Sequence, residues 1–168
     1  LFNDSFVLYL PKDIVAGDFY WIDSIDGCNF IAVADCTGHG VPGAIVSVVC
    51  NNALNRSVRQ YGLTMPNEIL DKTKELVLDT FSQNKDVKDG MDAALCSLNE
   101  DKLYFSGANN PLWLFREGEV ITYRPDRQPV GKYEFEKSFS CQEIDLIKGD
   151  TFYIFSDGFA DQFGGKKK

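Results

Sequence analysis

The chain has 168 residues, with 17 basic and 25 acidic side chains, a formal net charge of −8 and 44% hydrophobic residues. That length suits one domain with a core of its own, and the composition excludes extensive disorder. Setting aside Lys166, Lys167 and Lys168 leaves 14 basic against 25 acidic residues, which excludes nucleic acid or an anionic membrane surface as the main partner. An acidic chain that acts on phosphate needs a bound cation to offset its carboxylates.

No apolar run approaches the length of a membrane-spanning helix. The chain opens at Leu1 without an initiator methionine and reads as a processed chain or an excised piece, so its targeting is not legible. Cys28, Cys36, Cys50, Cys96 and Cys141 are odd in number and contain no Cys-x-x-Cys pair. They read as reduced core thiols of a cytosolic domain rather than a disulfide framework.

In chain order, Ser5 to Leu10 reads as a short strand stopped by Pro11. Phe19 to Ser24 alternates, Asp26-Gly27 turns, and Phe30 to Ala34 is a continuous apolar run, which predicts a hairpin ending in a buried strand. Val46, Val49, Cys50, Ala53, Leu54, Val58 and Tyr61 form one helical stripe, with Pro42 in its first turn and Gly62 at its end. Thr64 reads as the cap of a second helix, with Pro66 in the first turn and Ile69, Leu70, Thr73, Leu76, Val77 and Phe81 as its stripe. Asn84 to Gly90 reads as a polar loop.

Strand patterns then return. Three hairpins are predicted: Ala93 to Leu98 with Leu103 to Ser106, Leu112 to Phe115 with Val120 to Tyr123, and Phe139 to Leu146 with Thr151 to Phe155. Pro125 to Lys132 reads as a loop. Strands joined by hairpins on both sides of a helix pair imply an α+β fold, with antiparallel sheets and helices on an outer face.

Three aspartates share one setting. Asp35 follows the apolar run ending at Ala34, Asp157 follows Phe155-Ser156, and Asp18 follows Gly17 and opens a strand. A carboxylate at the mouth of a buried strand is desolvated unless paired or metal-bound. Clustered carboxylates suit Mg2+ or Mn2+, and a pair of such ions can hold a phosphoryl oxygen and ionise a water. Each aspartate could equally cap a turn or a helix, Asp35 the Pro42 helix in particular. Spacing alone leaves the two readings level.

Four segments occur in order: Pro11 followed by Val15-Ala16-Gly17-Asp18-Phe19-Tyr20-Trp21; Ala34-Asp35-Cys36-Thr37-Gly38-His39-Gly40-Val41-Pro42-Gly43-Ala44; Ser106-Gly107-Ala108-Asn109-Asn110-Pro111-Leu112; and Gly149-Asp150 followed by Phe155-Ser156-Asp157-Gly158. From about Tyr9 to Gly164 the chain resembles the SpoIIE-type branch of the metal-dependent PPM (type 2C-like) serine/threonine protein phosphatases. The resemblance implies a sandwich of two antiparallel sheets with helices packed outside. It implies two ions, Mn2+ or Mg2+: Asp35 bridging them, the Cys36 carbonyl in the same shell, Asp157 on the second ion, and Asp18 on metal waters or the nucleophilic water. A metal-bound hydroxide would attack phosphorus with no phospho-enzyme. The substrate implied is a phosphoserine or phosphothreonine protein, typically a STAS-type anti-anti-sigma regulator, with a sensor domain upstream in the parent chain.

Two departures accompany the resemblance. Related domains carry a further helix and an aspartate-bearing strand past Ser-Asp-Gly, and here the chain stops at Lys168, so truncated C-terminal elements and one weak ion site are expected. No arginine for the substrate phosphate stands near the first motif. Lys12 is the nearest cation and reads more simply as a solvated loop residue.

His39, the single histidine, could protonate the leaving oxygen, or could merely sit in a turn that needs its glycines. Gly38, Gly40 and Gly43 read as a tight turn with close backbone approach feeding the helix. Asp89 reads as a turn residue, Asp92 stays open between turn and site, Asn109-Asn110-Pro111 reads as structural, and the direction of Asp161 is not legible. The domain is expected over residues 1–164, with 165–168 a flexible basic tail. A cytoplasmic domain is expected, without nucleic-acid or membrane contact of its own, in a parent protein that could be membrane-attached. A homodimer is left open. The competing reading is an inactive signalling or dimerisation module of the same fold. A small-molecule phosphoesterase would use the same ions.

Overall fold

The structure is a computed structural model and describes residues 4–11, 13–82, 89–99, 102–135 and 137–159. β1 (Phe19–Ile25) and β2 (Cys28–Cys36) form a hairpin, followed by α1 (Gly40–Arg59) and α2 (Pro66–Phe81). Then come β3 (Gly90–Asn99), β4 (Lys102–Ala108), β5 (Leu112–Arg116), β6 (Glu119–Tyr123), β7 (Val130–Gly131), β8 (Gln142–Asp145), β9 (Thr151–Ile154) and a short 3-10 turn, Asp157–Phe159. The first sheet has the order β1-β2-β3-β4-β8, with β7 also on β3; the second has the order β6-β5-β9. Every ladder within both sheets is antiparallel.

Side-chain alternation assigns the layers. In β2, Cys28, Phe30, Ala32, Ala34 and Cys36 are buried in the core beneath the helices. There they meet Val46, Cys50 and Leu54 of α1 and Ile69, Leu70 and Val77 of α2. A fully buried side chain such as Phe30 contributes roughly 1.5–3 kcal/mol. On the opposite face, Cys96 of β3 and Phe105 of β4 pack with Leu112 and Leu114 of β5 in a second core. β3 is buried on both faces, which is why its sequence runs apolar without alternation. The architecture is therefore the expected α+β sandwich of two antiparallel sheets, and both described helices lie outside the first sheet.

Four expectations are corrected. Ser5 to Leu10 forms no strand: Phe6, Leu8 and Leu10 are exposed, and Tyr9 anchors the segment by donating to Asp18 O at 2.9 Å. The third hairpin does not exist. β8 pairs with β4 in the first sheet while β9 pairs with β5 in the second. Lys148-Gly149-Asp150 carries the chain between sheets instead, held by Arg116 on Asp150 at 2.5 Å, and this guanidinium holds the Asp150 carboxyl below its usual range. Thr64 is not the cap of α2: Met65 is, in extended backbone without a side-chain cap bond. Asp35 caps no helix, because it lies inside β2 and His39 precedes α1. In addition, the loop before Lys132 contains β7, and Gly90 opens β3.

The link from β2 to α1 depends on close backbone contact. A Cβ on Gly43 would stand 2.4 Å from Gly38 O, and one on Gly17 would stand 2.8 Å from the same oxygen. Gly38 itself takes φ 87°. These three glycines let the Gly17-Asp18 strand entry lie against the turn that follows Asp35. Gly43→Ala improves helix propensity by about 1 kcal/mol, but the clash is with backbone that cannot swing aside. A net loss of about 1–3 kcal/mol is expected, read as a lower urea midpoint; an unchanged or higher midpoint would contradict this contact.

Candidate metal and phosphate site

Strand register builds the site. β1 pairs Phe19 with Ala34, so Asp18, one residue earlier, falls beside Asp35. β2 pairs Asp35 directly with Asp92 of β3. The β3–β4 ladder runs to Ala94 and Gly107, and just beyond it Asn109 Nδ2 donates to Asp92 Oδ1 at 2.8 Å. Asp18, Asp35, Asp92 and Asn109 thus form one row across an end of the first sheet. Cross-strand partners share a face. Ala34 and Cys36 point to the helices, so Asp35 points to the side of the second sheet.

The second sheet supplies the fourth carboxylate. β9 ends at Ile154, and Asp157 opens the 3-10 turn two residues after Phe155. Its carboxyl and that of Asp18 both lie near enough to raise that of Asp35. Ser156 Oγ also donates to Asp18 Oδ2 at 3.2 Å. Residues distant in sequence are therefore gathered where the two sheets part.

Burial pushes the Asp35 carboxyl up to about 8, with the charge of Asp18 and the hydrogen bonds to Asp157 and Asp18 adding to it. At neutral pH Asp35 therefore holds a proton. Burial also raises Asp92, opposed by the Asn109 bond and assisted by the charge of Asp157. The ion pairs Arg59–Asp23, Lys72–Glu75, Lys102–Glu143 and Arg116–Asp150 lie away from this row.

The donor set fits a divalent cation. It consists of hard carboxylate oxygens, mutually repelling and reconciled by a proton whose position a cation would take. Among the described residues, no three acidic, imidazole or thiol side chains already close on one point as a finished shell. Mg2+ keeps several waters and requires few protein ligands.

The other predicted residues are distributed as follows. The Cys36 carbonyl lies against Gly17, 3.0 Å from where a Cβ would stand. The Cys36 thiol points away into the core, where the Cys50 thiol and burial hold it protonated. His39 is exposed at the N-cap of α1, and its ring makes no capping bond. Asp89 accepts a long bond from Thr37 Oγ1 at 3.4 Å. Lys12, Asp161 and residues 165–168 lie outside the described residues. Sequence reasoning missed Ser156, Tyr9 and the bond from Asn109. It also missed Thr37, whose N–H donates to Gly90 O and whose Oγ1 accepts from Gly90 N, each at 3.0 Å. Counting register outward from the Asp26-Gly27 turn gives Asp18 beside Asp35; nothing local in the sequence gives the other contacts.

The sandwich of two antiparallel sheets is the PP2C-type fold. Residues 25–168 match the family described as Stage II sporulation protein E (SpoIIE), and the chain belongs to that family. It is 25% identical over 165 residues to the phosphoserine phosphatase RsbU of Bacillus subtilis (strain 168), covering 94% of this chain and 47% of that protein. It superposes on the SiaA-PP2C domain of Pseudomonas aeruginosa with a TM-score of 0.86 and 32% identity, covering 96% of this chain and 64% of that one. RsbX, solved in complex with magnesium, shares the fold at a TM-score of 0.66 and 18% identity, covering 88% of this chain and 69% of that one. The chain spans about half the length of the curated relative it matches.

The raised Asp35 carboxyl has a stability consequence. In the unfolded chain the group ionises near its ordinary value, while in the metal-free fold it ionises only near 8. Between these values the fold binds the extra proton, so stability falls as pH rises and levels off above the upper value. Asp35→Asn removes this dependence. The unfolding midpoint of the metal-free variant is expected to exceed that of the wild type by a margin that widens from about pH 5 to about pH 8. A margin that stays constant or shrinks would show that Asp35 is not crowded by its neighbours.

Proposed function

We propose that this domain is a metal-dependent phosphoserine/phosphothreonine protein phosphatase in bacterial-type signalling. The observation that carries the reading is the convergence of Asp18, Asp35 and Asp157, drawn from three parts of the chain. Membership of the SpoIIE family and similarity to a named phosphoserine phosphatase support it.

Asp35 and Asp157 would hold Mn2+ or Mg2+, with the Cys36 carbonyl beside Asp35 and Asp18 taking the surrounding waters. When bound, the ions supply positive charge for the phosphoryl oxygens and acidify a water. Asp18, fixed by Ser156 through Oδ2, orients the attacking water in line with the scissile bond. Water attacks phosphorus directly, and no side chain becomes phosphorylated. His39 delivers the proton to the departing seryl or threonyl oxygen, a role supported by its exposed ring beside the turn that follows Asp35. Asp157 is exposed and Asp18, Asp35 and Asp92 are half-buried, and a row this accessible suits a phosphorylated protein loop better than a small ester.

The substrate we propose is a phosphorylated regulator protein of the STAS type, with an upstream sensor in the parent chain. Among the described residues no helix is long and apolar enough to cross a membrane, and a cytoplasmic setting is part of this proposal. The domain assignment of residues 1–164 is likewise proposed.

The test is Mn2+-dependent phosphate release from a phosphoserine protein and from para-nitrophenyl phosphate. Asp35→Asn and Asp157→Asn are each expected to lower the rate at least about 100-fold, the order found when a group stabilising the transition state is removed. Activity that survives both substitutions would overturn the mechanism. Turnover of the small ester alone would favour a small-molecule phosphoesterase. Failure to bind Mn2+ or to turn over either substrate would favour an inactive module.

A further inference from the structure

We infer that Asn109 and Asp92 form a positioning pair that tunes cation affinity at the proposed site. The inference rests on the metal reading above and extends it to Asp92, which the sequence leaves open between turn and site, and to Asn109, which it reads as structural. Asp92 is the direct cross-strand partner of Asp35 and interacts with the charge of Asp157. Its carboxylate therefore borders the same space from the third strand of the row. Asp92 is half-buried, and a side chain so placed swings freely unless something holds it.

Asn109 is what holds it. The chain leaves β4 at Asn109 with φ 59°, a left-handed conformation that asparagine accepts more readily than most residues. The backbone there is pinned from both sides, Asn109 N donating to Asp126 O and Asp126 N donating to Gly107 O, each at 2.9 Å. From this fixed turn the amide reaches back 17 residues to Asp92 Oδ1 at 2.8 Å. One oxygen of Asp92 is thereby engaged. Asp92 would hold the waters around a divalent cation rather than the ion itself, and Asn109 sets the direction in which it does so. Partners at that remove from a metal commonly govern affinity.

Asn109→Gly tests the pair cleanly. Glycine keeps the left-handed backbone without strain and removes only the amide. Asp92→Asn is the companion, isosteric and uncharged, and carries the test if the glycine variant does not fold. The readout is the electron paramagnetic resonance signal of free Mn2+ titrated against the chain, with circular dichroism verifying the fold. Both variants are expected to weaken Mn2+ binding about tenfold or more with unchanged spectra. Wild-type affinity in a folded variant would overturn the pair while leaving the metal site intact. Failure of the wild-type chain to bind Mn2+ would overturn the metal reading and the pair together.

Discussion

The structure is organised around a conflict of charge. Asp18, Asp35 and Asp92 stand side by side on three neighbouring strands, and Asp157 reaches the row from the other sheet. Like charges opposed across strands cost from a few tenths to about 1 kcal/mol per pair, and partial burial increases that cost. Without a cation the fold resolves the conflict by keeping Asp35 protonated. A divalent ion in the shared space would resolve it too, so on the proposed reading the geometry that costs the metal-free fold stability would favour binding.

That row exists because the backbone around it is unusually close. Gly17 and Gly43 both crowd the carbonyl of Gly38, bringing the entry of β1 against the exit of β2. Thr37 ties the same turn to the start of β3 through Gly90. The first three strands are thereby locked at one end, where their aspartates lie. The apolar residues of β2 anchor this assembly from below, since Ala34 and Cys36 flank Asp35 and are buried in the core under α1. Core packing and site geometry are consequences of one alternating strand.

Much of this was legible in the sequence. The alternation and turn of the first hairpin, the two helical stripes and the apolar run of β3 announced themselves because each is a local pattern with a period. In the sequence Asp35 and Asp157 stand out by following apolar runs, Asp18 by opening a strand after Gly17, and all three by the order of the motifs. What stayed hidden was non-local. Gln142–Asp145 and Thr151–Ile154 look like a hairpin in sequence, but β4 and β5 each offer an edge that claims one of them. The apolar letters from Ser5 to Leu10 suggest a strand, yet none of the ladders includes them. The Asn109–Asp92 bond depends on a backbone turn and on the register of β3 with β4, neither of which a single segment encodes.

Carboxylates from both sheets converge, and the proposed ions would sit among them. The most direct measurement is an anomalous difference map, recorded at the manganese absorption edge, from crystals of this chain grown with Mn2+. The account predicts a peak enclosed by the carboxylates of Asp18, Asp35 and Asp157. A map with no peak there, or with manganese bound only elsewhere on the acidic surface, would contradict it.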